Sequence, residues 1–324
     1  MTRSVHVFQV DAFTSHRFTG NPAGVVLGAA VLSDDEMLAI ARELNNADTA
    51  FVLKPDGPDH DVRVRFFTPR TEASFVGHAT VAAQYVLSRR EGTPSHLRQR
   101  QKSGSVDVEI RGQGPARRVA IRLAMPPLGR ELNDRERLAV LDALALSSSD
   151  LDTRCPIQIA GSTGTRLMIG VRGTDQLKHL KPDFNRLNTL SAQLGAAGHF
   201  VFTVNPGHDD CHTESRMFCP ALGIPEDPVS GNAHGLLGAS LGRYGLLPPA
   251  ADGRVAFTGV QGPSLHRPGR GEGELEMPEG GPGAVGIVGA VALVKVLSTP
   301  PVETTVVASK AITLAPGQAL RFDE

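Results

Sequence analysis

An internal repeat constrains the fold of this 324-residue chain more than any other feature of its sequence. In the first half, Ser33 precedes a run of residues with helical periodicity, and a short apolar strand follows at residues 49–53. Arg65-Phe66-Phe67-Thr68-Pro69 comes next, and Gly77-His78-Ala79 then begins an apolar helix. These elements recur in the second half in the same order.

In the second half, Pro182-Asp183 begins a helix, and an apolar strand follows at residues 200–202. Arg216-Met217-Phe218-Cys219-Pro220 repeats the R-x-F-x-P pattern, and Gly231-Asn232-Ala233 begins a second apolar helix. The repeat predicts a duplicated α+β domain. The alternative is two unrelated α+β domains that share common turn chemistry.

Spacing is repeated as well as order. Phe51 and Arg65 are as far apart in the sequence as Phe202 and Arg216. Two domains built to the same plan are expected to face each other across a cleft, and small molecules bind preferentially at such domain interfaces.

Each half has a helix that begins at a glycine, Gly77 in the first and Gly231 in the second. The exposed N–H groups and the dipole of a helix start favour an anion, so these positions are suited to a small carboxylate. The alternative is that each glycine only lets a central helix pack tightly.

The halves differ at two acidic positions, where we expect the chemistry. Asp48 directly precedes the first-half strand, and His199 is the position that matches it in the second half. A carboxylate at that strand end can take a proton from carbon and return it elsewhere. Asp227 lies in an insertion ahead of the second glycine helix, and Ser230 follows it. The local alternatives are an Asx turn at Asp48 and turn formation or capping at Asp227 and Ser230.

Composition excludes several classes of protein. The chain has 33 Lys and Arg against 34 Asp and Glu, so no excess of positive charge favours nucleic acid. No stretch approaches 18 consecutive apolar residues, and the start of the chain lacks the apolar block of a signal peptide, so we expect no membrane span and no export. Three cysteines without C-x-x-C spacing favour a cytoplasmic protein.

No cofactor or metal is expected. No G-x-G-x-x-G follows a strand, and no Walker loop occurs. His208-Asp209-Asp210-Cys211-His212 contains metal-binding residue types, but neighbouring positions on one turn rarely complete a tetrahedral shell. We interpret this segment as a solvated loop and expect a small-molecule carboxylate as the partner.

Pro126-Pro127 marks the expected linker between the domains. We therefore predict an N-terminal domain at residues 1–127 and a C-terminal domain at residues 128–299. Residues 300–324 alternate like an edge strand and are predicted to close a sheet or to form a homodimer contact.

Several motifs together resemble the PhzF-like phenazine-biosynthesis family, from about residue 5 to residue 295. The segments that carry the resemblance are Val10-Asp11-Ala12-Phe13, Gly20-Asn21-Pro22, Asn45-Asn46-Ala47-Asp48-Thr49-Ala50-Phe51, Arg65-Phe66-Phe67-Thr68-Pro69, Phe75-Val76-Gly77-His78-Ala79-Thr80 and Gly223-Ile224-Pro225-Glu226-Asp227-Pro228-Val229-Ser230-Gly231-Asn232-Ala233. The resemblance implies the α+β diaminopimelate-epimerase fold. In that fold, two pseudo-symmetric domains each form a curled sheet or barrel around a central helix, and the site lies between them.

The resemblance also implies a cofactor-free isomerase that moves a proton between carbons of a small, cyclic carboxylic or amino acid. The catalytic residues that it implies are Asp48 as acid/base, His78 and Asp227. The implied substrate-binding residues lie at the two helix starts: Gly77, Ser230, Gly231 and Asn232.

Two of these positions differ from the family pattern. Asp48 stands where the phenazine enzymes carry glutamate, and Asn232 stands where the family has serine. These differences leave an alternative, a catalytically silent member that binds a small carboxylate or a protein. Related epimerases of this fold use one cysteine from each helix start, and because neither start has a cysteine here, a thiol-type racemase is not expected.

Overall fold

The computed structural model of the chain describes residues 3–162, 164–247, 254–276, 283–294 and 310–314. These residues form two compact units. The first unit contains the described residues up to Ile121 and from Gly289 onward, and the second runs from Arg122 to Val288. Within the described residues, no helix combines the length and the apolar character needed to cross a membrane.

The first unit contains a mixed sheet and two α-helices in its described residues. In chain order these are β1 (Arg3–Ala12), β2 (Asn21–Leu27), α1 (Asp34–Leu44), β3 (Asp48–Leu53), β4 (Val62–Phe67), β5 (Glu72–Ala73), α2 (Gly77–Ser88), β6 (His96–Gln101), β7 (Gly104–Arg111) and β8 (Arg118–Ala124), which continues past the unit boundary. Short 3₁₀ turns lie at Ala29–Val31 and Gly114–Ala116.

The second unit repeats this plan with two additional helices near its start. Its elements are β9 (Leu128–Glu131), α3 (Asp134–Leu144), β10 (Gln158–Ala160), β11 (Arg166–Gly170), α4 (Thr174–His179), α5 (Phe184–Leu194), β12 (Gly198–Thr203), β13 (Thr213–Cys219), β14 (Ile224–Asp227), α6 (Gly231–Arg243), β15 (Arg254–Gln261), β16 (Gly269–Glu276) and β17 (Ala284–Val294). β17 continues past the unit boundary into the first unit, where β18 (Lys310–Leu314) follows. Its 3₁₀ turns lie at Ser148–Asp150, Pro220–Leu222 and Pro263–Leu265.

Strand pairing confirms the predicted duplication. In the first unit, β1–β2 is antiparallel, β2–β3 parallel, β3–β4 and β4–β5 antiparallel, β4–β6 parallel and β6–β7 antiparallel. The second unit repeats this succession in β10–β11, β11–β12, β12–β13, β13–β14, β13–β15 and β15–β16. Helices α1 and α5 connect the equivalent parallel pairs, and α2 and α6 follow β5 and β14. The two units are therefore two copies of one α+β topology.

Each unit has a helix that is buried on all sides. Residues 77–86 of α2 and residues 233–241 of α6 are buried without interruption. A helix that is buried on every face needs packing partners all round, so each one forms the centre of its unit. In α6, a Cβ at Gly238 would lie 2.5 Å from Cε1 of Phe257, so only glycine lets the strand approach this closely.

The outer helices begin where the sequence predicts. Ser33 and Glu36 form a capping box at α1, and Asp183 accepts hydrogen bonds from backbone N–H groups at the start of α5. In the second unit, alternate residues of β11 and β12 face opposite layers. Met168 packs in the cluster around α6, whereas Leu167 packs in the cluster around α3 and α5.

The end of the described chain joins the first unit because β1 pairs with it. Residues 9–12 of β1 are antiparallel to residues 291–294, and residues 3–7 are antiparallel to β18. The compact units consequently divide at 121/122 and 288/289, whereas the sequence prediction placed the boundaries at 127/128 and 299/300. Of the predicted extension, Lys310–Leu314 forms a strand, and its other residues lie outside the described residues.

Candidate active site

In the first unit, the structure brings together two of the predicted site residues, Asp48 and His78. Oδ2 of Asp48 lies 3.8 Å from Nε2 of His78, and the two side chains are 11% and 8% exposed. That distance exceeds hydrogen-bond length. Within the described part of the chain, Nε2 of His78 is buried and has no hydrogen-bond partner. Two buried titratable groups thus lie side by side.

The turn that precedes Asp48 is fixed by two asparagines. Asn45 ends α1 in the left-handed conformation (φ 50°), which asparagine tolerates better than most residues. Asn46 exchanges two hydrogen bonds with the side chain of Gln9 on β1, at 2.8 and 3.1 Å. The chain therefore enters β3 in a defined position, with Asp48 as its first residue.

Close packing behind Asp48 depends on a glycine. Gly24 of β2 pairs with Thr49, the residue after Asp48, in the parallel register. A Cβ at Gly24 would lie 2.7 Å from Cδ1 of Leu44 and 2.8 Å from Oγ1 of Thr49. Because glycine has no side chain, α1 and β3 can both approach β2, and this holds the beginning of β3 in place.

His78 is the second residue of α2. Burial lowers the pKa of its imidazole to about 4, so the ring is neutral at physiological pH. A neutral imidazole can accept a hydrogen bond at one nitrogen and donate one at the other. His78 therefore brings no positive charge to Asp48 and places a neutral imidazole 3.8 Å from its carboxylate.

The start of α2 has no side-chain cap. Val76 occupies the N-cap position, and its side chain cannot accept a hydrogen bond from the helix. The first N–H groups of a helix have no acceptor within it, so those of Gly77 and His78 are suited to bind an anion that forms beside Asp48.

In the second unit, the predicted residues lie on one segment that leads from β14 into α6. Ser230 caps α6, because its Oγ accepts from the N–H of Ala233 at 3.3 Å. Asp227 ends β14, so its place is a strand end and not the helix cap. The sequence left turn formation or capping open for Asp227 and Ser230, and in the structure Ser230 is the residue that caps the helix.

A buried glutamine fixes the distance between Asp227 and Ser230. Gln261 is fully buried on β15. Its Nε2 donates to the carbonyl of Asp227 at 2.6 Å, and its Oε1 accepts from the N–H of Ser230 at 3.1 Å. Sequence analysis did not identify Gln261, because the residue is 34 positions from Asp227 and belongs to no motif.

Asn232 and Arg166 meet at the start of α6. Nδ2 of Asn232 donates to the carbonyl of Gly164 at 2.9 Å, and Nη1 of Arg166 donates to the same oxygen at 2.8 Å. Arg166 is 8% exposed. Sequence analysis also missed Arg166, although a charged residue at the start of an apolar strand is a signal that could have identified it.

Strand register corrects one sequence-based equivalence. The sequence comparison aligned Asp48 with His199. In the structure, Asp48 is the first residue of β3 and pairs with Ala23. The equivalent residue in the second unit is Gly198, the first residue of β12, which pairs with Arg166. The reason is that the connection after β12, residues 204–212, is one residue longer than the connection after β3, residues 54–61. Equal sequence spacing therefore aligned the strands one residue out of register.

The two R-x-F-x-P motifs have a structural role in both units. The guanidinium carbon of Arg65 lies 5.1 Å from the ring centre of Phe67, and that of Arg216 lies 5.0 Å from the ring centre of Phe218. Each arginine also pairs with a carboxylate, Arg65 with Glu72 and Arg216 with Glu226. The repeated pattern thus encodes the same ion pair and cation–π contact twice.

The cysteines and the histidine-rich loop all lie in the second unit, where Cys219 is within electrostatic range of Arg166. Cys155, Cys211 and Cys219 are buried, and in the described part of the chain none of them forms a disulfide. His208, Asp210 and Cys211 place their ligand atoms within 4.8 Å of one another, which is a geometry that could hold a metal ion. Asp210, however, is hydrogen-bonded to both His208 and Arg270, so a cation would have to compete with a guanidinium.

Comparison with known proteins places the chain in a family. Residues 10–295 match the family described as "Phenazine biosynthesis-like protein", PhzC-PhzF. A protein of Escherichia coli O157:H7 named "Uncharacterized isomerase YddE" is 40% identical over 289 residues, which cover 89% of this chain and 95% of that protein. The match to this family spans nearly all of the chain.

Solved structures agree in fold. The crystal structure of a PhzF-family phenazine biosynthesis protein of Bacillus anthracis has a TM-score of 0.79 and 27% identity, and the match covers 90% of this chain and 97% of that one. A hydroxyproline epimerase of Agrobacterium vitis shares the fold with a TM-score of 0.56 at 12% identity, over 90% of this chain and 91% of its own. These likenesses confirm the predicted epimerase-like fold, and the chain belongs to the phenazine biosynthesis-like PhzC-PhzF family.

Proposed function

We propose that this chain is a cofactor-independent isomerase that moves a proton between carbons of a small, cyclic carboxylic or amino acid. The observation that supports the proposal is the buried pair of Asp48 and His78, with a neutral imidazole whose Nε2 has no partner in the described residues. The PhzF-family relatives that are named isomerases support the same class of reaction.

In the proposed reaction, the carboxylate of Asp48 takes a proton from a substrate carbon. The electron pair of the broken C–H bond is delocalised onto the substrate, and the N–H groups at Gly77 and His78 stabilise the negative charge that develops there. Asp48 or His78 then delivers a proton to another carbon. The product is an isomer, and no proton or electron is gained or lost overall.

Residues of the second unit are proposed to bind and orient the substrate. Gly231, Asn232 and Ser230 at the start of α6 are suited to a substrate carboxylate, because the helix dipole favours an anion there. Asp227 is proposed to orient an amine or a hydroxyl group. That one substrate uses the groups of both units stays a prediction.

Solvent exchange tests the proposal without knowledge of the natural substrate. A panel of cyclic amino and hydroxy carboxylic acids is incubated with the protein in deuterated water, and deuterium at carbon is measured by NMR and mass spectrometry. We expect incorporation into at least one compound with the wild type, and a decrease of about 100-fold or more for Asp48→Asn. Asp35→Asn, which removes an exposed carboxylate on α1, serves as the matched control and should leave exchange unchanged.

Two results would count against the proposal. Exchange that persists in Asp48→Asn would remove Asp48 from the mechanism. A carboxylate that binds equally to the wild type and to Asp48→Asn, with no exchange for any compound, would favour the alternative of a catalytically silent binding protein. The substitution of glutamate by Asp48 and of serine by Asn232 is the observation behind that alternative.

A further inference from the structure

Arg166 is a buried cation whose charge is only partly satisfied. It is 8% exposed, and its Nη1 donates to the carbonyls of Gly164 and Thr165 at 2.8 and 3.0 Å. In the part of the chain that the structure describes, Nε is buried and has no hydrogen-bond partner. Burial lowers the pKa of the guanidinium. A charge in such surroundings is stabilised when an anion completes its contacts.

The guanidinium lies at the first turn of α6. It shares the carbonyl of Gly164 with Nδ2 of Asn232, the second residue of that helix. A Cβ at Gly164 would lie 3.3 Å from Nδ2 of Asn232 and 3.8 Å from Nη1 of Arg166. Because glycine has no side chain, both donors can approach the backbone of residue 164 closely. The amide and the guanidinium thus converge beside a helix start.

Asp227 also acts on this cation. Burial is the largest effect and lowers the pKa of Arg166, whereas electrostatic interactions with Cys219 and Asp227 act in the opposite direction and raise it. An acidic and a basic side chain therefore lie within electrostatic range of each other in the second unit. Together they match a molecule that carries both an amine and a carboxylate.

The pseudo-symmetry of the two units gives an independent reason to single out Arg166. In the first unit, the cross-strand pair beside the central helix is Ala23 and Asp48. In the second unit, the equivalent pair is Arg166 and Gly198. This strand pair thus carries an acidic side chain in the first unit and a basic side chain, on the other strand of the pair, in the second.

Gly198 makes room for the arginine. A Cβ at this position would lie 3.2 Å from Cδ of Arg166 and 2.6 Å from Cε of Met217. A side chain at this position would meet Met217 first and then the stem of Arg166, so the arginine and the glycine fit together in this space. Between the two units, alanine is thus replaced by arginine and aspartate by glycine, and the small glycine leaves room for the large arginine.

We propose that Arg166, with the first turn of α6, binds the carboxylate of an amino-acid substrate. A guanidinium can hold a carboxylate through two parallel hydrogen bonds, which fixes orientation as well as position. This inference rests on the proposed function, since it assigns the residue that supplies the charge at the carboxylate subsite. Asp227, within electrostatic range of Arg166, orients the amine of the same molecule.

Binding of a matched pair of probes tests the assignment. Anthranilate carries an amine and a carboxylate on one ring, and 2-aminobenzamide has the same shape with a neutral amide. By titration calorimetry, we expect the wild type to bind anthranilate at least ten-fold more tightly than 2-aminobenzamide. Arg166→Met should abolish this preference, Arg166→Lys should restore part of it, and Arg135→Met, which removes an exposed arginine on α3, should retain it.

Two outcomes overturn the inference: a wild type without the preference, and an Arg166→Met protein that keeps it. If Arg166→Met does not fold, a crystal structure of the wild type with anthranilate decides. The carboxylate is expected within hydrogen-bond distance of the Arg166 guanidinium, and a carboxylate bound elsewhere contradicts the assignment.

The two proposals can fail separately. If no compound undergoes carbon exchange but the anthranilate preference depends on Arg166, the isomerase proposal fails and the carboxylate site stands. If exchange depends on Asp48 but the preference does not depend on Arg166, the isomerase proposal stands and the assignment of Arg166 fails.

Discussion

Nε2 of His78 lies 3.8 Å from Oδ2 of Asp48, yet the two residues do not form an ion pair, because the imidazole is neutral. Desolvation of the buried ring lowers its pKa to about 4. The carboxyl group of Asp48 is consequently beside a polar neighbour that carries no positive charge. This arrangement is suited to a base that must give up its proton again in each turnover.

Stability should depend on pH through His78. The unfolded residue takes up a proton near pH 6.5, whereas the folded residue does so near pH 4. Between these values the unfolded state binds more protons, so the free energy of unfolding falls as the pH falls, by about 3 kcal/mol at most from this residue. His78→Gln should therefore flatten the pH dependence between pH 6.5 and pH 4 in urea unfolding.

The same buried character is shared by His199 and His234, whose pKa values are also lowered by burial. Both remain in the variant, so the difference between wild type and His78→Gln isolates the contribution of His78. Equal slopes in the two proteins would show that His78 is protonated alike in the folded and unfolded states.

Gln261→Leu should destabilise the second unit. The variant keeps the approximate volume of the side chain but leaves the carbonyl of Asp227 and the N–H of Ser230 without their partner. We expect a loss of about 2 kcal/mol or more in the free energy of unfolding, because buried polar groups are costly when unsatisfied. Gln193→Leu, at an exposed position on α5, is the control and should change stability little.

Arg216→Met should be more damaging than the loss of a surface arginine. Arg216 and Glu226 are 15% and 9% exposed, so the variant leaves a carboxylate buried without its guanidinium. The expected loss is about 3 kcal/mol or more. Arg137→Met, whose partner Asp134 is 89% exposed, should cost less than about 1 kcal/mol in the same denaturation experiment.

Zinc should not stabilise the wild-type protein, although His208, Asp210 and Cys211 lie close together. Arg270 already binds the carboxylate of Asp210, and burial raises the pKa of the Cys211 thiol, which opposes the deprotonation that zinc requires. Arg270→Met should create a zinc-dependent rise in melting temperature by freeing Asp210. A rise of equal size in the wild type would instead identify this loop as a metal site.

The sequence was sufficient to predict the topology, because the repeat can be recognised from local features. Ser33 and Asp183 cap helices at the predicted positions, and the two glycine helices occupy the centres of their units. Such signals depend on a few adjacent residues. They survive the divergence of the two halves, so the order of elements could be predicted without any contact between distant residues being known.

Register could not be predicted in the same way. The comparison of Asp48 with His199 relied on the distance along the chain, and one additional residue in a connecting loop was enough to displace it. Arg166 and Gln261 were missed for a related reason, since each acts through partners brought close only by strand pairing or by helix packing. The roles of Arg166 and Gln261 depend on tertiary contacts, which a linear motif in the sequence does not contain.

Antiparallel pairing of β1 with residues 291–294 and with β18 has a consequence for synthesis on the ribosome. β1 leaves the exit tunnel shortly before β2, its partner on one side, but more than 250 residues before β17 and β18, its partners on the other side. The second unit ends at Val288, so all of its residues are translated before the strands that complete the sheet of the first unit. Throughout that interval, one side of β1 in the nascent chain exposes unpaired backbone groups, which makes the chain prone to aggregate and a substrate for chaperones.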